Sequence, residues 1–238
     1  MIEPIAIVGA GRMGRALAAA LRAAGLVVQG PFGRGASGEG APVVLLCVPD
    51  DAITTAAKAV TPGPLVGHCS GAATLEPLLP HEAFSIHPLM TVTEEEEGAF
   101  VGAGCAVAGT TERAKLTARA LAARLGMHAF EVADRDRALY HAAATMASNY
   151  LVTLESAAEE LAAQAGVDRA QLAPLVRAAV QNWARLGGAA LTGPIARGDE
   201  ATVARQREAV ASRAESVLPL WDALTSATRS LAAAMPAP

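Results

Sequence analysis

The run Ile5-Ala6-Ile7-Val8-Gly9-Ala10-Gly11-Arg12-Met13-Gly14 decides how the rest of the chain is read. Four consecutive apolar residues bounded by glycine read as a strand buried on both faces, which points to a parallel sheet covered by helices. Met13 to Ala24 follows with Leu17 and Leu21 one turn apart and Gly25 placed as a C-cap, so a helix is expected immediately after the turn. GxGxxG between a strand and a helix is the setting in which this motif binds a dinucleotide. Gly9 permits the tight turn, Gly11 lets backbone approach a pyrophosphate at the helix N-terminus, and Gly14 lets helix and strand pack closely. Arg12 and Met13 belong to the same turn and are expected to line the same ligand.

Working outward, Leu26-Val27-Val28 starts a second strand and completes a βαβ unit. A carboxylate is expected at the end of that strand when the ribose carries a free 2′-hydroxyl, but the sequence reads Gln29-Gly30-Pro31-Phe32-Gly33-Arg34. Arg34, with help from Arg12, can neutralise a 2′-phosphate through bidentate guanidinium contacts, so NADP is preferred over NAD. A solvated surface arginine is the plainer reading of Arg34. Short apolar runs recur at Val43 to Val48, Leu65 to His68, Phe84 to His87 and Cys105 to Ala108, followed by a helix over Thr111 to Leu125 and a strand over Met127 to Val132. Val48 and Pro49 stand where a strand ends and are expected to flank the cofactor, while Asp50 or Asp51 reads most simply as a helix N-cap.

The period changes at Asp134. Leu139, Ala142, Met146, Tyr150, Leu154, Ala158, Leu161 and Ala165 recur at three and four, which predicts one helix of about 30 residues. Further helices are expected over Arg169 to Leu186, around Ala201 to Val210, and over Arg213 to Ala234. The chain therefore reads as an α/β Rossmann dinucleotide-binding domain, residues 1–133, followed by an all-α domain, residues 134–238, for substrate binding and dimerisation.

Composition narrows the function. A 238-residue chain that is 52% hydrophobic and only 3% aromatic has a core of small and aliphatic side chains. A net charge of −4 and the lack of any basic block exclude a nucleic-acid footprint. The apolar stretches are interrupted before about 20 residues, so no membrane span is expected. Cys47, Cys69 and Cys105 are far apart, with no CxxC and no histidines at metal spacing, so no metal site is expected and a reduced cytoplasmic protein fits.

His68-Cys69-Ser70-Gly71 and Ser85-Ile86-His87-Pro88 close two successive strands, which brings two histidines and a serine to one sheet edge. Histidine can give or take a proton near neutral pH, as hydride transfer to a carbonyl or imine requires. His87 is the first candidate for this; His68 and Ser70 are candidate substrate ligands, and a histidine satisfying buried backbone is the alternative. His141, Thr145, Ser148 and Asn149 form a polar line on the long helix, suited to a substrate held between the domains or to interhelix bonds with Gln181 and Asn182. Arg197, in Thr192-Gly193-Pro194-Ile195-Ala196-Arg197-Gly198-Asp199, is a candidate carboxylate anchor or a helix-end cap. Glu94 to Glu97 reads as a solvated loop or the acidic first turn of a helix.

On the glycine turn, His68-Cys69-Ser70-Gly71, His87-Pro88, Tyr140-His141 through Ser148-Asn149-Tyr150, and Leu191 through Asp199, the chain resembles Rossmann-like reductases whose C-terminal half is a domain of unknown function. That family is similar to pyrroline-carboxylate reductase, ketopantoate reductase and the β-hydroxyacid dehydrogenases. The resemblance implies an NADP domain, a helical C-terminal domain and a homodimer formed through it. In two of those relatives a lysine stands four residues before an asparagine; here Thr145 precedes Asn149, and the only lysines are Lys58 and Lys115. The proton role then falls to His87 or His141, with Asn149 orienting substrate or nicotinamide. His87-Pro88-Leu89-Met90 also resembles the histidine-proline motif of prephenate dehydrogenases. The expected activity is NADP-dependent hydride transfer to or from a small carboxylate-bearing carbonyl, alcohol or imine. The alternatives are a non-catalytic NADP-binding sensor and a prephenate-dehydrogenase-like enzyme.

Overall fold

A computed structural model describes residues 3–38, 40–93 and 99–234, and the expected acidic stretch Glu94 to Glu97 lies outside them. Strands β1 (Ile5–Val8), β2 (Val28–Phe32), β3 (Val43–Leu46), β4 (Leu65–His68), β5 (Ala83–Leu89), β6 (Gly104–Gly109) and β7 (His128–Glu131) form one sheet in the order β2-β1-β3-β4-β5-β6-β7. All neighbours are parallel except β5 and β6. The chain winds outward from β1 in both directions, so the switch point lies between β1 and β3, in a Rossmann-type sheet.

Side-chain alternation explains why both faces are covered. Ile5, Ile7, Val43, Leu45 and Leu65 join one buried cluster with Leu17 and Leu21 of α1 (Arg12–Ala23) and Ala114, Ala118 and Leu121 of α3 (Glu112–Arg124). Ala6, Val8, Val44, Leu46 and Val66 turn to the other face and meet Ile53 and Ala57 of α2 (Ile53–Ala59). Leu17 and Leu21 are fully buried; burying each such side chain stabilises by about 1.5–3 kcal/mol.

Two strands start later than the apolar run suggests, for one reason. After α1, Gly25 turns to φ +82° and the Leu26 amide donates to the Leu21 carbonyl; after α3, Gly126 turns to φ +71° and the Met127 amide donates to the Ala122 carbonyl. In each case the residue after glycine closes a Schellman cap and packs into the core, so β2 begins at Val28 and β7 at His128.

Backbone proximity divides the chain into compact units 1–148 and 149–238. The segment 134–148, which the change of period assigns to the helical half, thus packs with the sheet. The expected long helix runs as α4 (Arg137–Thr145), a π-turn over Met146–Tyr150, and α5 (Leu151–Ala163). The π-turn fits an extra residue into one turn, so the polar line His141, Thr145, Ser148 and Asn149 does not continue straight along one face. In the second unit, α6 (Arg169–Leu186) has the predicted bounds and opens with a capping box of Asp168 and Gln171. The last two helices are both present with a shifted junction: α7 (Glu200–Arg213) runs on to Arg213 and ends at Ala214, φ −151°, so that α8 (Leu218–Ala234), expected from Arg213, starts at Leu218 after a 3-10 turn. This reversal lets Val210, Ala214 and Val217 pack with Ala157, Leu161 and Trp221, and brings Arg207 to Asp222 at 2.7 Å. No helix among the described residues is long and apolar enough to cross a membrane.

Candidate active site

The glycine turn has three different surroundings. A Cβ on Gly9, whose φ is +115°, would lie 2.2 Å from the Cys47 carbonyl oxygen, and one on Gly14 would lie 1.8 Å from that of Gly9. Both positions admit only glycine because β1, β3 and α1 meet there. A Cβ on Gly11 would meet nothing within 4 Å. The second glycine therefore borders open space at the N-terminus of a twelve-residue helix, which is what a pyrophosphate needs. The residues fit a dinucleotide: Arg12 is exposed beside Gly11, Met13 half-buried, and Val48 and Pro49 leave β3 across the switch point. Arg34 is exposed in the turn after β2, whose first half Arg22 holds through the Val28 and Gly30 carbonyls.

Successive contacts run from this turn along the carboxyl edge. Cys47 lies beneath Gly14, its sulfur 3.7 Å from that of Cys69 at the end of β4. Hydrogen bonding to Cys47 and burial hold the Cys69 thiol well above the usual range. Next to it, the Ser70 hydroxyl donates to Asp50 at 2.8 Å and accepts the Ala72 and Ala73 amides. Asp50 therefore receives a bond from across the edge and does not cap a helix; no side-chain cap forms at its 3-10 turn.

His68 is fully buried. Its Nδ1 accepts the Ser70 amide at 3.1 Å and its Nε2 pairs with the Thr74 carbonyl at 2.9 Å. Burial lowers its pKa. As placed, His68 and Ser70 brace the loop after β4, with their polar atoms already engaged by protein groups; both were expected to face substrate.

That loop puts Gly71 against two other histidines. A Cβ there would lie 2.7 and 2.8 Å from Cε1 and Nε2 of His87 and 2.9 Å from Cδ2 of His141. The two rings stand edge to face with centroids 6.0 Å apart. His87 is half-buried and His141 exposed. Burial, with charge from His141, Arg137 and His68 against the opposing pull of Asp50, lowers the His87 pKa to about 4, so its imidazole is neutral at physiological pH. The Tyr140 hydroxyl lies 2.7 Å from His87 Nδ1, and burial pushes its pKa up to about 12. Buried Arg137, one turn earlier, bonds Asp134 at 2.9 Å and Ser85 at 3.3 Å.

Tyr140 and Arg137 are the site residues that sequence reasoning missed. Tyr140 appears there only within a motif, and its pairing with His87 spans 53 positions. The usable signal was scarcity: the chain has two tyrosines, and one adjoins a candidate histidine.

The remaining candidates belong to the end of α4 and to the second unit. Thr145 bonds the His141 carbonyl of its own helix at 3.1 Å. Asn149 is exposed at the start of the second unit, and Arg197 is exposed in the segment before α7, which Asp199 caps through the Thr202 amide. Among the described residues no three His, Cys, Asp or Glu side chains gather as metal ligands.

Residues 103–228 match the family model described as Domain of unknown function (DUF2520). No curated protein gives a significant sequence match. Among solved structures, a candidate NADP oxidoreductase from Bacteroides fragilis is similar with a TM-score of 0.82 at 18% identity, covering 95% of this chain and 98% of that one. A Thermotoga maritima protein gives 0.77 at 23%, covering 97% and 98%. Pyrroline carboxylate reductase from Plasmodium falciparum, with NADP bound, gives 0.61 at 13%, covering 98% and 99%. These likenesses extend the fold over the whole chain.

Proposed function

Since the chain belongs to the DUF2520 family and joins an open glycine turn to a histidine pair along one sheet edge, we propose that it is an NADP-dependent oxidoreductase. The substrate we propose is a small carboxylate-bearing carbonyl, alcohol or imine. One observation carries the reading: the contacts from Gly9 and Gly14 through Cys47, Cys69, Ser70 and Gly71 end at His87 without leaving the carboxyl edge. In open α/β sheets that edge is where ligands bind. Likeness to a candidate NADP oxidoreductase and to an NADP-bound reductase supports it.

The amides of the turn around Gly9, Gly11 and Gly14, with Arg12 and Met13, would hold the pyrophosphate, and Val48 and Pro49 would flank the cofactor. Arg34 would hold the 2′-phosphate. The bound cofactor supplies or accepts hydride. His87 handles the proton at the substrate oxygen or nitrogen, with His141 beside it. Asn149 as an orienting residue and Arg197 as the carboxylate anchor follow from residue chemistry and the family motifs. Three free cysteines suit the reducing cytoplasm proposed as its setting.

Titration with NADPH and NADH tests the cofactor. Arg34→Ala weakens NADPH roughly 10- to 100-fold, the loss of one or two charge-assisted hydrogen bonds, and leaves NADH unchanged. Equal loss for both, or no binding of either, refutes the assignment. NADPH binding without turnover on a carbonyl panel would instead support a nucleotide sensor.

A homodimer through the helical unit is part of the proposal. Leu175, Trp183 and Leu186 of α6 are exposed, and their spacing puts them on one face. Sedimentation should give twice 24.1 kDa, and Trp183→Glu should give the monomer.

A further inference from the structure

Helix α4 is docked on β5 at two points. Arg137 Nη2 donates to Ser85 at 3.3 Å, and Tyr140, three residues later, meets His87, two residues along the strand. Three helical residues rise about 4.5 Å and two strand residues about 6.6 Å, so a helix crossing the strand matches both contacts at once. Phe130 holds the other side of the tyrosine ring, centroids 6.0 Å apart, and the imidazole meets that ring edge-on at 87°. Tyr140 thus has a fixed direction, and its hydroxyl meets the His87 nitrogen that faces away from Gly71. Nε2, on the Gly71 side, has no protein hydrogen bond among the described residues.

We propose that Tyr140 and His87 form one proton relay, in which Nε2 faces the substrate and the phenol serves Nδ1. The inference rests on the oxidoreductase reading above and deepens it. A neutral imidazole carries one proton, so it can give that proton from Nε2 only while taking another at Nδ1. In reduction the Nε2–H bond breaks as the substrate oxygen takes the proton. The Tyr140 O–H bond breaks as Nδ1 takes that proton, and the phenolate regains one from water. Oxidation runs the same transfers backwards. The imidazole is neutral before and after but its proton has moved from Nε2 to Nδ1; exchange with solvent restores the Nε2–H form before the next turnover, and net one solvent proton reaches the substrate.

The charged and titratable groups around the pair favour this route. Burial is the main cause of the neutral ring at His87; His141, Arg137 and His68 also oppose an imidazolium there, and Asp50 favours it. Burial, and after it Cys105, keeps the phenol protonated, against Arg137. Such a relay matters for a carbonyl oxygen, which must be protonated as hydride arrives; an iminium nitrogen already carries its proton. The relay therefore favours a carbonyl and its alcohol, or a neutral imine, over a preformed iminium. Tyr140 acts through His87 and is a positioning residue.

Two measurements on the full-length protein test this. In nitrogen-15 spectra of the histidine rings, the wild-type His87 should show one dominant tautomer at neutral pH, and Tyr140→Phe should redistribute it; unchanged ring nitrogens overturn the relay. This arm needs no turnover, so it decides the relay even if NADPH fails to bind and the oxidoreductase reading falls. In the second, Tyr140→Phe lowers kcat for carbonyl reduction about tenfold or more with KM unchanged, and spares reduction of a preformed iminium. Full carbonyl activity overturns the relay, and equal loss on the iminium overturns the substrate class. Fluorotyrosine, with a more acidic hydroxyl, should shift the basic limb of the rate profile to lower pH when Tyr150→Phe leaves Tyr140 as the single site; an unmoved limb rejects proton transfer through the phenol. This last form keeps the ring and so remains informative if Tyr140→Phe folds poorly.

Discussion

Gly11→Ala keeps the protein folded and strongly weakens nucleotide binding, whereas Gly14→Ala, the same added methyl three residues later, strongly destabilises the fold. At Gly14 the methyl would sit 1.8 Å from the Gly9 carbonyl oxygen and 3.2 Å from Cys47 Cβ. Neither neighbour is a free side-chain end, because Gly9 is itself locked against the Cys47 carbonyl. Relief requires α1 to move off β1 and β3, lifting fully buried Leu17 and Leu21 from the core. The expected cost is more than about 3 kcal/mol, a large part of a typical 5–15 kcal/mol stability. At Gly11 φ is −74° and the methyl meets no protein atom. There the expected cost is at most about 1 kcal/mol, from a poorer N-cap. NADPH affinity falls on the order of 100-fold, because the methyl occupies the space the pyrophosphate needs and one or two amide bonds to it are lost. Thermal unfolding with calorimetry separates the two: a stable Gly14→Ala, or a Gly11→Ala that binds NADPH normally, contradicts the turn's assigned role.

His87→Asn should lower the rate about 100- to 10,000-fold with NADPH affinity unchanged, which is the range for removing a positioned acid or base. Its pH dependence follows from burial. The folded pKa of about 4 lies below the ordinary 6.5, so the working neutral ring persists down to about pH 5, and activity falls as pH drops through about 4. Between 4 and 6.5 the unfolded chain binds more protons at this residue than the folded one. The stabilising contribution of the neutral ring is thus complete above pH 6.5 and is lost as pH falls toward 4. Subtracting the His87→Asn stability curve from the wild-type curve should isolate a slope in that window. No slope there, or full activity in the variant, rejects a neutral, proton-handling His87.

Strands β1 and β4 and helix α6 occupy the predicted residues because each is set by a local pattern: an apolar run ended by glycine or polar residues, or an apolar stripe after a capping aspartate. Leu26 and Met127 misled because apolar character suits a strand and a Schellman cap equally well, and backbone carbonyls one turn back decide between them. The π-turn at Met146–Tyr150 left no mark in the periodicity, since alanine-rich sequence tolerates a shift of register. His68 and His87 both sit at strand ends with polar neighbours. Only the loop that folds back over β4 engages both nitrogens of the first and leaves Nε2 of the second facing Gly71.

By itself, then, the amino-acid order determined the βαβ start, the three glycines of the turn, the missing carboxylate after β2 and the succession of sheet and helices. These depend on steric demands and periodicities that act over a few residues. The tertiary structure alone decided that Asp50 bonds Ser70, that Arg137 pins α4 to β5, and that Tyr140 meets His87 across 53 positions. Those partners depend on how strands are ordered and how one helix crosses another element, and residue types along a chain do not encode such directions singly.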